Sequence, residues 1–387
     1  MSKSSVNSSS NKLWKSILLL IPMLLIMLVF MTGGNLQFND PSRAIAFVVT
    51  YVFFAWLFFM MLRTGKTDVY RAVGFITLAV FFAFSFIVNL IEIRGSMTFS
   101  NDNIYGCDIP FCHMVTSMII IPLALKQSII FPGSLTEGFA PILGMLVFVI
   151  GFSVVLGRGF CSWGCFYGGW EDGTSRILKR PVIKRINKFF RWSAFVVLGI
   201  VAIVSAFQLS PFYCDWLCPF KAVTEFEAVT STTVLIKTIV FCSLFIGLVI
   251  VLPILTKKRI QCASFCPMGA LMSLTNKINI FDVRIDKDAC IKCNQCEKIC
   301  PTLSITKKDI EKGRPSFTCT KCGKCIDSCP SGAIHFHVKG TPVNKRVMLA
   351  RILFLYPAFT MMVVFTGGTI QTGIYLLIRL ITTGGIL

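Results

Sequence analysis

The chain is poor in charge, and poorer still in acids. Only 14% of its 387 residues are Asp, Glu, Lys or Arg, and 18 acids stand against 38 bases. A soluble domain carries about a quarter charged residues. With 55% hydrophobic residues and a mean hydropathy of +0.74, the chain reads as an integral membrane protein. It has no phosphate-cradling glycine loop, no G-x-G-x-x-G, no nucleophile triad and no evident flavin site. It also lacks an interleaved basic and aromatic surface. The net charge of +20 is therefore read as loops facing anionic lipid, not as nucleic-acid binding. Cysteine is abundant instead, at 17 residues. Their grouping points to metal sites in a reducing compartment, not to a secreted disulfide scaffold.

Cys290, Cys293, Cys296 and Cys300, followed by Pro301, spell C-x2-C-x2-C-x3-C-P, and Cys319, Cys322, Cys325 and Cys329, followed by Pro330, repeat it. This is the spacing of two-cluster bacterial ferredoxins, in which the fourth Cys of each run serves the other cluster. The motif predicts one 4Fe–4S cluster on Cys290, Cys293, Cys296 and Cys329. It predicts a second on Cys319, Cys322, Cys325 and Cys300. Zinc knuckles and disulfides are the alternatives, and neither needs the third C-x2 step or the C-x3-C-P tail.

Apolar stretches long enough to span a bilayer read at 16–32, 43–62, 72–91, 139–157, 192–210, 234–255 and 348–366. The stretch 114–132 holds Pro122 and Lys126 and reads as a half-helix; the stretch 369–383, with Arg379, is left undecided. The first stretch reads as an uncleaved anchor. Segments 1–15, 63–71 and 158–191 carry fourteen Lys or Arg against three acids, whereas 32–43, 92–113 and 211–234 carry three against seven. The positive-inside rule then places the N-terminus and the ferredoxin-like domain in the cytoplasm of a bacterial cell, with the chain passing repeatedly through the inner membrane.

Three further cysteine pairs share the spacing C-x3-C: Cys161 and Cys165, Cys214 and Cys218, and Cys262 and Cys266. Cys107 and Cys112 form a C-x4-C pair. Sorted by face, Cys161, Cys165, Cys262 and Cys266 fall on the cytoplasmic side. Cys107, Cys112, Cys214 and Cys218 fall opposite. Each quartet has the thiol count of one iron–sulfur centre, so one or two further centres are expected. Structural thiols are the alternative for the inner quartet, and disulfides for the outer. Cys107, Cys112 and His113 also read as C-x4-C-H, a lengthened haem c attachment motif, although the chain has only three His. Glu171 and Asp172 read as solvated loop charges. Glu92 reads as an interfacial charge, and His335 and His337 as part of a strand closing the ferredoxin fold.

GRGFCSWGC after one span, RIQCASFCPMGA after a later one, and then the two ferredoxin runs resemble the polytopic membrane ferredoxin-type proteins. These include the NapH type and the membrane half of the NosR type. The resemblance covers 139–338. It implies iron–sulfur electron transfer at the cytoplasmic membrane, from quinol or a cytoplasmic ferredoxin-type donor toward a periplasmic reductase or cytochrome, or toward reductase maturation. It also implies iron–sulfur ligation by Cys161, Cys165, Cys262 and Cys266. Phe166 departs from the Pro expected after Cys165, and the Cys214 and Cys218 pair is additional. The CcoG type, a copper reductase and assembly factor, is the second resemblance, and a redox-sensing regulator is a third reading. The expected fold is an α-helical polytopic membrane protein of about seven to eight spans with an inserted α+β two-cluster ferredoxin-like domain. Its expected parts are an N-terminal membrane region (1–158), a membrane module with the three C-x3-C motifs (159–283), the ferredoxin-like domain (284–338), and a C-terminal membrane helix and tail (339–387).

Overall fold

The computed structural model describes residues 13–32, 40–92, 113–126, 142–184, 186–187, 189–224, 231–343 and 346–383. Six described helices are long and apolar enough to cross a membrane. There are seven if the bent pair Val149–Trp163 and Phe166–Thr174, kinked by 44°, counts as one span. Local chemistry sets their ends. Pro41–Thr64 starts where the Asp40 carboxylate accepts from Ser42 N at 2.8 Å, with Pro41 in the first turn, and stops at Gly65 with φ 78°. A proline lacks only an amide that would be unpaired there, and glycine takes the left-handed stop without strain.

The helices Leu13–Thr32, Pro41–Thr64, Thr67–Glu92 and Val347–Thr383 pack together around Phe54, Phe58, Phe359 and Met362, all fully buried. Their outer faces leave Leu18, Leu25, Val52 and Val80 more than half exposed, as acyl chains require and water would not favour. The last helix runs unbroken for 37 residues, about 55 Å at 1.5 Å per residue. It joins the two stretches, 348–366 and 369–383, that hydropathy separates. Gly367 and Gly368 do not interrupt it, and Gly373 lets the helix close onto Phe81. Because a hydrocarbon core is only about 30 Å thick, part of this helix extends past it. That part is its first turns, where the Phe354 ring lies 4.1 Å from Phe336, 5.7 Å from Phe281 and 5.8 Å from Trp163.

Phe281 and Phe336 belong to the ferredoxin-like domain. Its strands β1 (Phe281–Ile285) and β2 (Ile334–Val338) pair antiparallel, with Phe281 opposite Val338 and Ile285 opposite Ile334. On β1 the alternation of Phe281, Val283 and Ile285 buries one face. His335 and His337 lie on β2, as their position after the second run suggests. Between the strands come the short helices Gln295–Ile299, Lys307–Lys312 and Lys324–Asp327; the middle one opens with a Thr306–Asp309 capping box.

The rest of the membrane module is Phe190–Gln208, the helix Thr232–Thr256 and the helix Pro267–Thr275. Thr116–Lys126 packs on Phe190–Gln208. Its 11 described residues span about 17 Å; residues 127–132 of the stretch read as a half-helix lie outside the described residues.

Candidate metal centres

The two ferredoxin runs fold alike. Lys292 and Lys321, third in each run, have φ 54° and 51°; Asn294 and Gly323, fifth in each, have φ 57° and 86°; Leu303 and Gly332, three past each last cysteine, have φ 56° and 65°. Left-handed residues among right-handed ones turn successive amides inward, and such concavities hold anions, iron–sulfur sites among them. In the first run this backbone wraps a small cavity lined by Cys290, Cys293, Cys296 and Cys329, with Ile310 and Ile334 behind. Cys329 reaches it from the other run. Among the described residues no three His, Cys, Asp or Glu side chains converge within reach of a single ion. Four thiols on one cavity is the number that one 4Fe–4S cluster takes.

The other four thiols gather beneath. Cys300, Cys322 and Cys325 are buried and Cys319 is partly buried. Burial, then the neighbouring Cys290, Cys329 and Cys293, push the Cys296 thiol up to about 11. Cys319 is pushed up to about 12 by burial, opposed by Lys321 and raised further by Cys300 and Cys322. Such thiols stay protonated at neutral pH unless a metal displaces the proton. Cys293 is exposed, so one set opens to solvent. The other faces the membrane module.

There it meets Cys161, Cys165, Cys262 and Cys266, each 3–6% exposed. Two loops of identical pattern, R-x2-C-x3-C-x2-G, hold these thiols, and each reads the other. Arg259 donates to the Cys161 carbonyl at 2.5 Å, and Arg158 to the Cys262 carbonyl at 2.5 Å. The glycine closing each loop, Gly168 or Gly269, lies where a Cβ would press on that same carbonyl and arginine. Arg259 also donates to Cys262 Sγ at 3.3 Å. Sequence reading missed both arginines and both glycines. Their signal was the recurrence of Arg three before and Gly seven after the first Cys of each pair.

Three expectations change at this quartet. Glu171 and Asp172 are fully buried, not solvated. The two carboxylate oxygens of Glu171 accept from Gln261 N at 2.6 Å and Cys262 N at 2.9 Å. Asp172 lies 3.0 Å from Arg71 and 3.2 Å from Arg176, and both arginines also reach Asp68. Gly168 and Gly169 allow this burial by letting their helix approach the Cys161 and Phe75 carbonyls. Second, His113 does not stand apart on the opposite face. Its Nε2 lies 3.2 Å from Cys165 Sγ, and the rings of Phe160, Phe166 and Tyr167 enclose it. Cys107 and Cys112, its partners in the haem reading, lie outside the described residues. Third, the Cys214 and Cys218 loop approaches the quartet. Gln261 Nε2 donates to the Tyr213 hydroxyl at 3.3 Å, and the Phe220 and Tyr167 rings meet edge-on at 4.0 Å. This third loop has Pro211 and Lys221 where the other two have Arg and Gly. The Glu92 side chain lies outside the described residues.

Hydrogen bonds to backbone at or beside the cysteines line the junction between the quartet and the buried ferredoxin thiols. Arg71 Nε donates to the Cys322 carbonyl at 3.1 Å and its Nη1 to the Ser162 carbonyl at 2.8 Å. Trp163 Nε1 donates to the Lys321 carbonyl, and Asn276 Nδ2 to the Cys319 carbonyl. Lys258 Nζ donates to the Cys300 carbonyl at 2.9 Å.

Residues 282–330 match the 4Fe-4S dicluster domain. Residues 138–185, 190–229 and 238–286 match the 4Fe-4S binding domain three times, one C-x3-C pair in each. The chain is similar to the candidate electron transport protein YccM of Escherichia coli, 27% identical over 46% of this chain and 50% of that protein. It is similar to the methylamine utilization ferredoxin-type protein MauN of Methylorubrum extorquens, 25% identical over 49% of this chain and 64% of that protein. It is also similar to the ferredoxin-type protein NapH of Haemophilus influenzae, 21% identical over 50% of this chain and 66% of that protein. The match thus spans half to two thirds of these relatives. No solved structure matches the chain. The matched families are iron–sulfur families and give no support to haem at Cys107, Cys112 and His113.

Proposed function

We propose that this iron–sulfur electron-transport protein, similar to NapH, MauN and YccM, carries electrons between the exposed edge of its ferredoxin-like domain and a partner on the membrane side. Three cysteine sets hold the centres in this reading. Cys290, Cys293, Cys296 and Cys329 hold the exposed one, and Cys300, Cys319, Cys322 and Cys325 the buried one. Cys161, Cys165, Cys262 and Cys266 hold the one at the membrane. When bound, 4Fe–4S clusters supply reversible one-electron storage. The chain's own residues do the rest. Thiolates anchor each centre, inward amides and buried arginines offset its negative charge, and Phe160, Phe166 and Tyr167 keep water from the quartet.

The observation that carries this reading is the junction itself. Arg71, Arg158 and Trp163 fasten backbone beside Cys319 and Cys322 to backbone beside Cys161 and Cys262, so the sets are contiguous. The charge bias of the loops supports a cytoplasmic ferredoxin end in a bacterial inner membrane. Quinol is the membrane-side donor we favour. An open apolar cleft of about 410 Å³ lies between Thr116, Leu146, Val149, Ser153 and Met272, within the size of ligand sites. The Thr116 hydroxyl in it is buried without a partner. It lies two residues from Met114, whose sulfur is 3.8 Å from Cys266 Sγ. A quinol bound there would hand its two electrons one at a time to centres held by the cysteine sets and release its two protons to water at the open cleft. In this scheme electrons leave the quartet past the Cys214 and Cys218 loop beside it, toward a periplasmic partner, a reductase or cytochrome.

Anaerobically purified full-length protein should carry about twelve irons, against about eight if the quartet holds none. Cys161→Ala and Cys262→Ala should each lose about four of them. Unchanged iron in both variants overturns the third centre. Failure of a quinol analogue to bleach the visible spectrum of the loaded protein overturns quinol as donor.

A further inference from the structure

The buried charges around the quartet do not cancel pairwise. Arg71 and Arg176 are matched by Asp68 and Asp172. Glu171 and Arg259 meet at Cys262, the carboxylate accepting from its amide and the guanidinium donating to its sulfur. Arg158 is left over. It is 1% exposed, and no carboxylate among the described residues pairs with it. Its Nε has no partner at all. Its Nη1 donates to the Thr318 carbonyl at 3.0 Å and its Nη2 to the Cys262 carbonyl at 2.5 Å. Thr318 immediately precedes Cys319. One guanidinium therefore touches the backbone of the buried ferredoxin set and the backbone of the quartet at once.

A lone buried cation costs several kcal/mol unless an anion lies near. Two carbonyl dipoles do not neutralise a full charge. The nearest groups able to do so are the two thiolate sets on either side. Its planar fork explains why the residue is arginine: it can span two carbonyls in fixed geometry, which a lysine ammonium on its flexible stem cannot.

We propose that Arg158 is a positioning residue shared by two redox centres: it locks the Cys300, Cys319, Cys322 and Cys325 set against the Cys161, Cys165, Cys262 and Cys266 set, and its unpaired charge favours the reduced form of both. The inference rests on the quartet holding an iron–sulfur centre. Arg259 is the internal contrast. Its guanidinium donates to Cys161, Ser162 and Cys262; its backbone N–H, which a side-chain substitution keeps, donates to the Pro301 carbonyl, so the influence of its charge is confined to the quartet.

The test uses full-length, iron-loaded protein in detergent, followed by redox titration with electron paramagnetic resonance and by rapid-mixing reduction. In Arg158→Gln the midpoint potentials of both sets should fall. Electron equilibration between them should slow by about tenfold or more, as loss of an outer-sphere contact does at metal sites. In Arg158→Lys the charge remains, so the potentials should stay near wild type while the slow equilibration persists. Arg259→Gln should lower the potential of the quartet alone. In iron-free protein, Arg158→Gln should speed hydrogen exchange of the amides from Thr318 to Cys322. Potentials and equilibration unchanged in Arg158→Gln overturn the proposal, as does a shift confined to the quartet. If Arg158→Gln fails to assemble, Arg158→Lys decides: wild-type equilibration in it removes the bridge. Full iron in Cys161→Ala and Cys262→Ala is a different failure, since it removes the quartet centre on which the inference stands.

Discussion

A single methyl group placed at either loop glycine tests the reciprocal arginine arrangement. At Gly168 a Cβ would lie 2.1 Å from Arg259 Nη2 and 2.4 Å from the Cys161 carbonyl oxygen. Ordinary contact begins near 3.5 Å, so these neighbours must retreat by about 1 Å. The carbonyl cannot do so alone, because it lies inside the C-x3-C turn. Arg259 cannot either, because it is clamped by Ser162 and Cys262. Overpacking of this kind costs about 1–3 kcal/mol. Loss of the Arg259–Cys161 bond strands a buried donor for about 1–3 kcal/mol more. Gly168→Ala should therefore destabilise the protein by roughly 2–6 kcal/mol. Gly269 sits at the matching position, but its Cβ would lie 3.0 Å from the Cys262 carbonyl and 3.1 Å from Arg158 Nη2. A shift of a few tenths of an ångström relieves that, so Gly269→Ala should cost about 1 kcal/mol at most. The assay is thermal inactivation of the detergent-solubilised full chain, with iron retention as a second readout. Gly168→Ala should lose quartet iron at temperatures where Gly269→Ala and wild type keep it. If the two variants melt together, the geometry of the paired loops is wrong.

Other perturbations separate the remaining contacts. Glu171→Gln keeps one acceptor but points an amide donor at the second backbone N–H, and should cost about 1–3 kcal/mol. Quartet iron should fall while the ferredoxin-like domain keeps its own, read by iron count against the Cys161→Ala variant. Arg71→Met leaves buried Asp68 and Asp172 short of a partner and should cost about 3–5 kcal/mol; faster hydrogen exchange near Cys322 and Ser162 is the readout, and unchanged exchange refutes it. Phe354→Ala removes the ring stacked on Phe336 and should cost about 3–5 kcal/mol, seen as earlier proteolysis of the ferredoxin-like domain. His337 is held below the usual histidine range by burial, with Asp282 opposing and Arg284 and His335 adding to the shift. Its folded pKa is thus depressed relative to the unfolded chain. The unfolded state takes up the proton first, so stability is full above the ordinary histidine pKa and declines as pH falls below it. His337→Gln should flatten that decline in a melting series from neutral to mildly acid pH.

Much of this arrangement is local, and local spacing is legible. Two left-handed residues and a C-x2-C-x2-C run bend a backbone around a cavity whatever else the chain does, so the grouping of Cys290, Cys293 and Cys296 follows from the spacing. The arrival of Cys329 follows from the repeat of that run. Helices of 20 and 24 residues show in hydropathy because the bilayer demands a continuous apolar length. Burial of Glu171 and Asp172 does not show. A charged pair after two glycines looks like a loop until Arg71 and the Cys262 amide, distant in sequence, are brought to it beside Arg176, one turn away. His113 likewise looks like a partner of its neighbours Cys107 and Cys112, yet it sits beside Cys165. The unbroken helix Val347–Thr383 hides behind Gly367, Gly368 and Arg379, since only packing against Phe81 and β2 shows that it does not stop. Spacing and apolar length are properties of the chain read in order. Which thiols meet, which charges cancel and which arginine is left bridging two sets depend on contacts between residues far apart in the chain, and those exist only once the helices have packed.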